Sequence, residues 1–474
     1  MPRRLDLTPP DAQAIQASLA KLRTSFGVSL DFPDDVVAEA EEAARAAALP
    51  DVDETDIPFV TIDPPASMDL DQAMHLERRD GGYRVRYAIA DVAAFVPPGG
   101  AMDAEAHVRG QTFYAPDADA RLYPKAVSES AASLLPGQVR PALVWTMDLD
   151  ETSEGVDVQV RRARVRSRSK LDYAGVQESL EAGTADASLS LLPEIGRLRQ
   201  QRQARVGGVD LPIPDQEVEL AGGAYRLAYR APLPVEDWNA QISILTGQAA
   251  ALLMLRAKVG VIRTLPQGDD YAVGRLRRTA AALHVPWPEE QSFADFLRGL
   301  DASIPAQAAV LSKSTVLLRG SGYAAFDGQV PEHPRHAGIG APYAHTTAPL
   351  RRLVDRYVGE ICLAVSAGTD VPDWVRSALP DLPETMEDSN RRNQGFESGI
   401  VSLVEAAVLA GSVGQVFEAV VVDADKDGEG GSVQLAEPAV TARCSGRNLP
   451  LGHRLDVRLV TADVEQRLVR FDPA

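Results

Sequence analysis

The stretch Thr61-Ile62-Asp63-Pro64-Pro65-Ala66-Ser67-Met68-Asp69-Leu70-Asp71-Gln72-Ala73 sets three carboxylates around a double proline, directly after an apolar, β-branched run. An extended backbone points residues two apart the same way, so Asp69 and Asp71 share a face, while a turn at Pro64-Pro65 folds Asp63 back beside them. Three adjacent carboxylates repel one another. A cation relieves that repulsion, and all-oxygen ligation favours Mg²⁺, with Mn²⁺ as a substitute. A calcium loop fails, because counting from Asp69 puts Met74 where such a loop needs glycine and Asp80 where it needs glutamate. Aspartates that merely cap turns remain the other reading of this segment taken alone.

Upstream, residues 1–57 read as a small helical module, with helix-turn-helix as its candidate type and helices over Asp11–Phe26 and Asp34–Ala48. The acidic run from Asp51 to Asp56 reads as a solvated linker. Downstream, strand patterns begin the main domain: Pro58–Ile62, then Gly82–Val96, rich in β-branched and aromatic residues between Gly and Pro. The segment Thr146–Leu171 reads as a hairpin whose second strand carries Arg162, Arg164, Arg166, Arg168 and Lys170 at every second position. Period-two spacing sends them to one face, either a solvated one or a basic strip that guides RNA. Helices are expected over Trp238–Lys258 and Pro349–Gly368, and short strands from about Val413 onward suggest a C-terminal OB-fold barrel. Its first strand offers Phe417 as its main aromatic residue, which favours contact with the backbone of a nucleic acid over base stacking.

The helix after Tyr343-Ala344-His345 has Leu350, Leu353, Val354, Tyr357, Val358, Ile361, Cys362 and Val365 at helical spacing, with Gly368 as its stop. Pro349 takes the first helical position, which places Arg351 and Arg352 in the first turn. Cations there oppose the helix dipole unless an anion binds, so the pair is either a phosphate site or a solvated surface pair. On the helical wheel Arg351 lies nearer the buried stripe than Arg352 and is the better inward contact. His345, alone before the helix, reads as structural.

Composition limits the function classes. The 474 residues are 45% hydrophobic and 24% charged, an ordinary globular balance for two or three domains. A net charge of −19 argues against a protein that coats duplex DNA, although a basic channel can coexist with an acidic exterior. Cys362 and Cys444 have no metal-ligand spacing, and a reducing cytoplasm fits. The N-terminus lacks the apolar run of a signal peptide, and no stretch approaches about 18 uninterrupted apolar residues, so no membrane association is expected.

Together the segments Thr61–Ala73, Tyr87–Val96, Arg109–Glu129, Arg166–Gln177 and Tyr343–Val358 resemble the ribonuclease II / ribonuclease R (RNB) family of 3′-to-5′ exoribonucleases, in family order over about residues 58–395. The resemblance implies an α+β, multidomain chain: a catalytic domain over 58–395 that threads single-stranded RNA to a buried Mg²⁺ site, and an OB-fold over 410–474. It places Asp63, Asp69 and Asp71 at three of four acidic metal positions, Gln72 at the fourth, Arg351 at the essential phosphate contact and Tyr114 at the stack on the 3′-terminal base. Arg352, Arg166 and Arg168 are the further RNA-binding candidates. Asp71 would hold a metal or orient the attacking water, and nucleoside 5′-monophosphates would be released. A monomer is expected.

Three departures stand out. Gln72 replaces a carboxylate with a neutral amide, which reduces the charge available to a second metal ion. Gly207-Gly208-Val209-Asp210-Leu211 lacks the aromatic residue the family commonly carries there, which implies a one-sided base clamp. The first 57 residues are too short and too helical for tandem cold-shock barrels, so RNA capture differs and structured RNA with a 3′ overhang is a candidate substrate. The rivals to an active exoribonuclease are a catalytically weakened RNA-binding protein of the same fold, and a metal phosphodiesterase for small nucleotides that would not need the barrel.

Overall fold

The computed structural model describes residues 9–209, 215–221, 224–230, 232–425 and 428–474. Two helices open it, α1 (Pro9–Ser25) and α2 (Asp34–Ala46). The central sheet comprises β1 (Val60–Ile62), β2 (Gln72–Arg79), β3 (Gly82–Ala90), β4 (Val139–Asp150), β5 (Gly155–Arg166) and β6 (Ser169–Leu171), with α3 (Ala101–Arg109) in the β3–β4 connection. Its order is β5-β4-β3-β2-β1-β6, antiparallel except for β1 and β6, where Val60 stands opposite Ser169 and Ile62 opposite Leu171. The sequence reading missed β2, which starts at Gln72 and so ends the carboxylate loop on a rigid strand.

Next come α4 (Tyr173–Glu181), α5 (Leu192–Arg205), the hairpin β7 (Asp215–Ala221) and β8 (Ala224–Arg230), and the long helix α6 (Pro234–Ala257). Strand β9 (Val259–Thr264) leads into a helical insert, α7 (Asp270–Ala282), α8 (Phe293–Arg298) and α9 (Pro305–Ser314), with its own small core, and then pairs with β10 (Gly322–Asp327). The two-residue strands β11 (Arg335–His336) and β12 (Ala341–Pro342) lead to α10 (Leu353–Ala367), α11 (Asp373–Ala378) and α12 (Leu382–Leu409). Strands β13 (Val416–Ala424), β14 (Gly430–Leu435), β15 (Val440–Ser445), β16 (Arg454–Asp463) and β17 (Leu468–Pro473) close a barrel in the order β13-β14-β15-β17-β16. The α+β architecture with a C-terminal barrel is as expected.

The main core lies between the sheet and the helices α6 and α10. Trp145 and Tyr87 are fully buried in it, as are Leu353, Val358, Ile361 and Cys362 of α10. Helix α10 is buried nearly all round and ends at Gly368 in the left-handed conformation, as its sequence predicts. Its start differs from expectation. Pro349–Arg351 form a turn, Arg352 is an extended N-cap (φ −137°), and the helix begins at Leu353. The cause is competition for the backbone: Asp71 takes the Leu350 N–H, the Arg351 carbonyl accepts from the Thr112 N–H, and the Leu353 N–H donates to the Gly110 carbonyl.

The N-terminal helices are not one module. Ile15, Leu19 and Leu22 of α1 join a second core with α12 and the barrel, whereas Val36 and Ala40 of α2 join the main core. Their apolar faces have separate partners, so a helix-turn-helix does not form. The acidic run is also no free linker. Asp53 pairs with Arg164 at 2.9 Å, the buried Glu54 meets Arg161, and Val52 and Glu54 exchange backbone hydrogen bonds with Arg164, which adds the run to the edge of β5. Helix α6 and the segment Leu382–Ser412 are long and apolar enough to cross a membrane, but α6 packs into the main core and Leu382–Ser412 mostly into the second core beside the barrel.

Candidate active site

The carboxylate loop is pinned at both ends and in the middle. The Asp63 N–H donates to the Leu171 carbonyl, Ser67 N–H closes a turn on the Pro64 carbonyl, and the Asp71 carbonyl accepts from Ala90 N–H. Leu70, fully buried between the two aspartates, donates its N–H to the Ser133 hydroxyl oxygen (2.9 Å) and accepts the Leu134 N–H at its carbonyl. Lys170 caps the proline turn by donating to the carbonyls of Pro65 and Ser67, both at 2.6 Å.

Each carboxylate has a different environment. Asp71 is buried; its Oδ1 accepts the Leu350 N–H at 2.8 Å and its Oδ2 lies 3.6 Å from Arg351 Nε. Burial raises its pKa well above the usual carboxylate value, against the pull of Arg351. Asp63 is pushed up to about 6, first by burial and then by the charge of Asp69. Asp69 is turned toward Arg121, with Oδ2 3.0 Å from Nη1, and the same guanidinium also contacts Asp119 and Glu129. Sequence reasoning did not single out Arg121, although it lies in the Arg109–Glu129 block.

The segment that carries Arg351 is joined to the one that carries Tyr114. Gln111 and Arg352 form an antiparallel bridge, and Thr112 N–H donates to the Arg351 carbonyl at 3.0 Å. Gly110 makes the junction possible: it ends α3 at φ +72°, where a Cβ would stand 2.4 Å from the Ser389 Cβ. Tyr114 is 40% exposed, and its hydroxyl is raised by burial while feeling the charges of Arg351, Asp69 and Asp71. The accessible ring of Tyr114, the accessible guanidinium of Arg351 (43% exposed), the half-buried Asp63 and the buried Asp71 therefore lie within electrostatic reach of one another.

Other expected contacts are already engaged. Arg352 forms a two-point ion pair with Asp355, at 3.0 and 2.9 Å, so its charge is spent within the fold. The basic face of β5 is partly engaged too: Arg162 pairs with Asp91 and Glu360, Arg164 with Asp53, and Arg168 donates to the Thr55 carbonyl, whereas the buried Nε of Arg166 has no hydrogen-bond partner among the described residues. The strand also ends at Arg166, which breaks the period-two pattern before Arg168. His345 has the surroundings of a structural residue: it is half-buried between Tyr323 and Tyr343, its Nδ1 lies 2.7 Å from the Tyr323 hydroxyl, and desolvation lowers its pKa. Gln72 has both ends of its amide in use, accepting from the Tyr87 hydroxyl at 2.8 Å and donating to the Thr347 carbonyl at 2.5 Å. Phe417 packs edge-on against Phe471 in the barrel. Of the Gly207–Leu211 segment, Asp210 and Leu211 lie outside the described residues.

Residues 52–366 match the RNB domain family. The chain belongs to the RNB family. Residues 415–474 of this RNB chain match the RNase II-type exonuclease C-terminal S1 domain, in agreement with the closed barrel. Exoribonuclease 2 of Photorhabdus laumondii is 27% identical over 399 residues, covering 80% of this chain and 60% of that protein. Ribonuclease R of Escherichia coli is 24% identical over 483 residues, covering 91% and 58%. The chain thus spans three-fifths or less of the curated relatives it matches. In fold it is similar to Mycoplasma genitalium RNase R, solved with ribose-methylated single-stranded RNA (TM-score 0.85, 18% identity, 97% of this chain and 78% of that one) and with double-stranded RNA (TM-score 0.84, 19% identity, 97% and 83%).

Among the described residues, no three His, Cys, Asp or Glu side chains converge into a ready-made cation cage. Asp69 is instead paired with Arg121. The donor set of the RNB chain nonetheless suits a hard divalent cation: Asp63 and Asp71 are carboxylates whose burial disfavours their charge, and a cation would favour it.

Proposed function

We propose that the chain is a metal-dependent 3′-to-5′ exoribonuclease that hydrolyses single-stranded RNA, including the 3′ overhang of a structured RNA, to nucleoside 5′-monophosphates. The observation that carries this reading is the pairing of Arg351 with the buried Asp71 at 3.6 Å, within an RNB domain and beside the exposed ring of Tyr114. Arg351 meets the scissile phosphate and stabilises the charge that develops on its oxygens. Tyr114 stacks on the terminal base, a contact that tolerates any base. Asp71, held in place by the Leu350 N–H, fixes the position at which water is oriented for attack. Asp63, Asp69 and Asp71 would hold a divalent cation, Mg²⁺ or Mn²⁺, which when bound polarises the phosphate and favours deprotonation of water.

Incubation of the protein with Mg²⁺ and a 5′-labelled single-stranded RNA tests the reading, and a descending ladder is expected. Intact RNA from the wild-type protein, with Asp71→Asn indistinguishable from it, would refute it. Gln72 motivates the rival of a weakened RNA-binding protein. Retention of Asp63, Asp69, Asp71 and Arg351 together favours catalysis.

A further inference from the structure

We propose that Gln72 is a positioning residue and not a ligand of the cation: its amide ties the carboxylate strand to the segment that carries Arg351. The inference rests on the exoribonuclease reading above. Gln72 is the first residue of β2 and follows Asp71 directly. Its Nε2 donates to the Thr347 carbonyl, four residues before Arg351, and its Oε1 accepts from Tyr87 on β3. The orientation of the amide is forced, because a carbonyl can only accept.

Thr347 is gripped from the other side as well. Its hydroxyl lies 2.7 Å from the Ser243 hydroxyl on α6, and Thr347 itself is buried. Two successive residues, Asp71 and Gln72, thus hold two points of one turn, Leu350 through its N–H and Thr347 through its carbonyl. The bond from Asp71 uses an oxygen of a proposed metal ligand. The bond from Gln72 does not, so it fixes the Arg351 turn whether or not a cation is bound. An ionised carboxylate at this position has no N–H and would set one acceptor against another. The neutral residue at the fourth position therefore supplies a donor that an acid cannot.

The test measures Mn²⁺ binding by isothermal titration calorimetry, and kcat and KM on a single-stranded RNA, for the wild type, Gln72→Ala, Gln72→Glu and Tyr87→Phe. Gln72→Ala is expected to bind Mn²⁺ as the wild type does, with an unchanged KM and a kcat lowered about ten- to a hundred-fold, the scale of a small misplacement of a catalytic group. Gln72→Glu should lose kcat similarly. Tyr87→Phe, which lacks only the hydroxyl that fixes the amide, should lose kcat less, again with Mn²⁺ binding intact, and it serves alone if Gln72→Ala does not fold. Weakened Mn²⁺ binding in Gln72→Ala, or a kcat in Gln72→Glu at or above the wild-type value, would overturn the proposal. A wild-type protein that cleaves no RNA refutes the exoribonuclease reading instead, and its Mn²⁺ titration still shows whether Gln72 is a ligand.

Discussion

The backbone N–H of Leu350 stands 2.8 Å from Oδ1 of Asp71, so the turn that presents Arg351 hangs directly on a carboxylate of the site. Asp71→Asn keeps the shape and can still accept that bond through its amide oxygen, but it removes the charge. The variant should fold, bind RNA with wild-type affinity and lose hydrolysis by about a hundred-fold or more, the scale of one lost electrostatic contribution at a reacting centre. Arg351→Ala should lose hydrolysis to a similar degree. Steady-state kinetics with a thermal melt checks both, and a variant that still degrades RNA at half the wild-type rate would contradict the assigned roles.

Asp63 gives the cation a signature in stability. Its carboxyl is raised from 3.8 to about 6, by burial first and the charge of Asp69 second. Between those values the folded chain keeps a proton that the unfolded chain has released, so stability from this group is full below the lower value and is lost as pH rises through the upper one. Asp71 shifts in the same direction. Above about pH 6.5 the charged Asp63 carboxylate is costly unless a cation neutralises it, a difference of roughly 2–3 kcal/mol. Mg²⁺ should therefore raise the Tm by several degrees near pH 7.5 and hardly at all near pH 4.5. Equal stabilisation at both values would contradict it.

What the sequence made legible was local. The spacing of Asp63, Asp69 and Asp71, the strand signals and the Gly368 helix stop depend on neighbours along the chain, and the structure keeps them. What it hid depends on distant partners. Gln72 meets Thr347 across 275 positions, and Arg164 meets Asp53 across 111, so an arginine that looks free in its own segment is paired with an acidic run read as solvated. Asp69 faces Arg121 for the same reason. The start of α10 was misplaced because helical periodicity is blind to a carboxylate and a neighbouring segment that compete for the first backbone groups.

Asp103 anchors α10 from outside the site. The Arg356 side chain is fully buried, its Nη1 2.5 Å from Asp103 Oδ1 and its Nη2 2.8 Å from the Val96 carbonyl. Removing one partner of such a pair leaves a buried charge uncompensated, at a cost of about 3–5 kcal/mol. Asp103→Ala should lower the midpoint of urea unfolding accordingly, and a change below about 1 kcal/mol, the scale of an exposed pair, would show that water reaches Arg356.

Arg23 links the N-terminal helix to the loop that carries Tyr114, the proposed stacking residue. Its guanidinium pairs with both oxygens of Asp117, one at 3.1 Å, and donates to the Ala118 carbonyl at 3.0 Å, while Phe26 and Phe113 both pack edge-on against Phe396. Helix α1 thus braces the segment from Phe113 to Ala118, with Tyr114 within it. Arg23→Ala releases the loop without touching Asp71 or Arg351. KM for RNA should rise several-fold, up to the loss of one base stack worth about 1–3 kcal/mol, while kcat at saturating RNA stays within about two-fold. The reverse pattern, a lower kcat at unchanged KM, would show that α1 acts on the reacting centre and not on the grip of the terminal base.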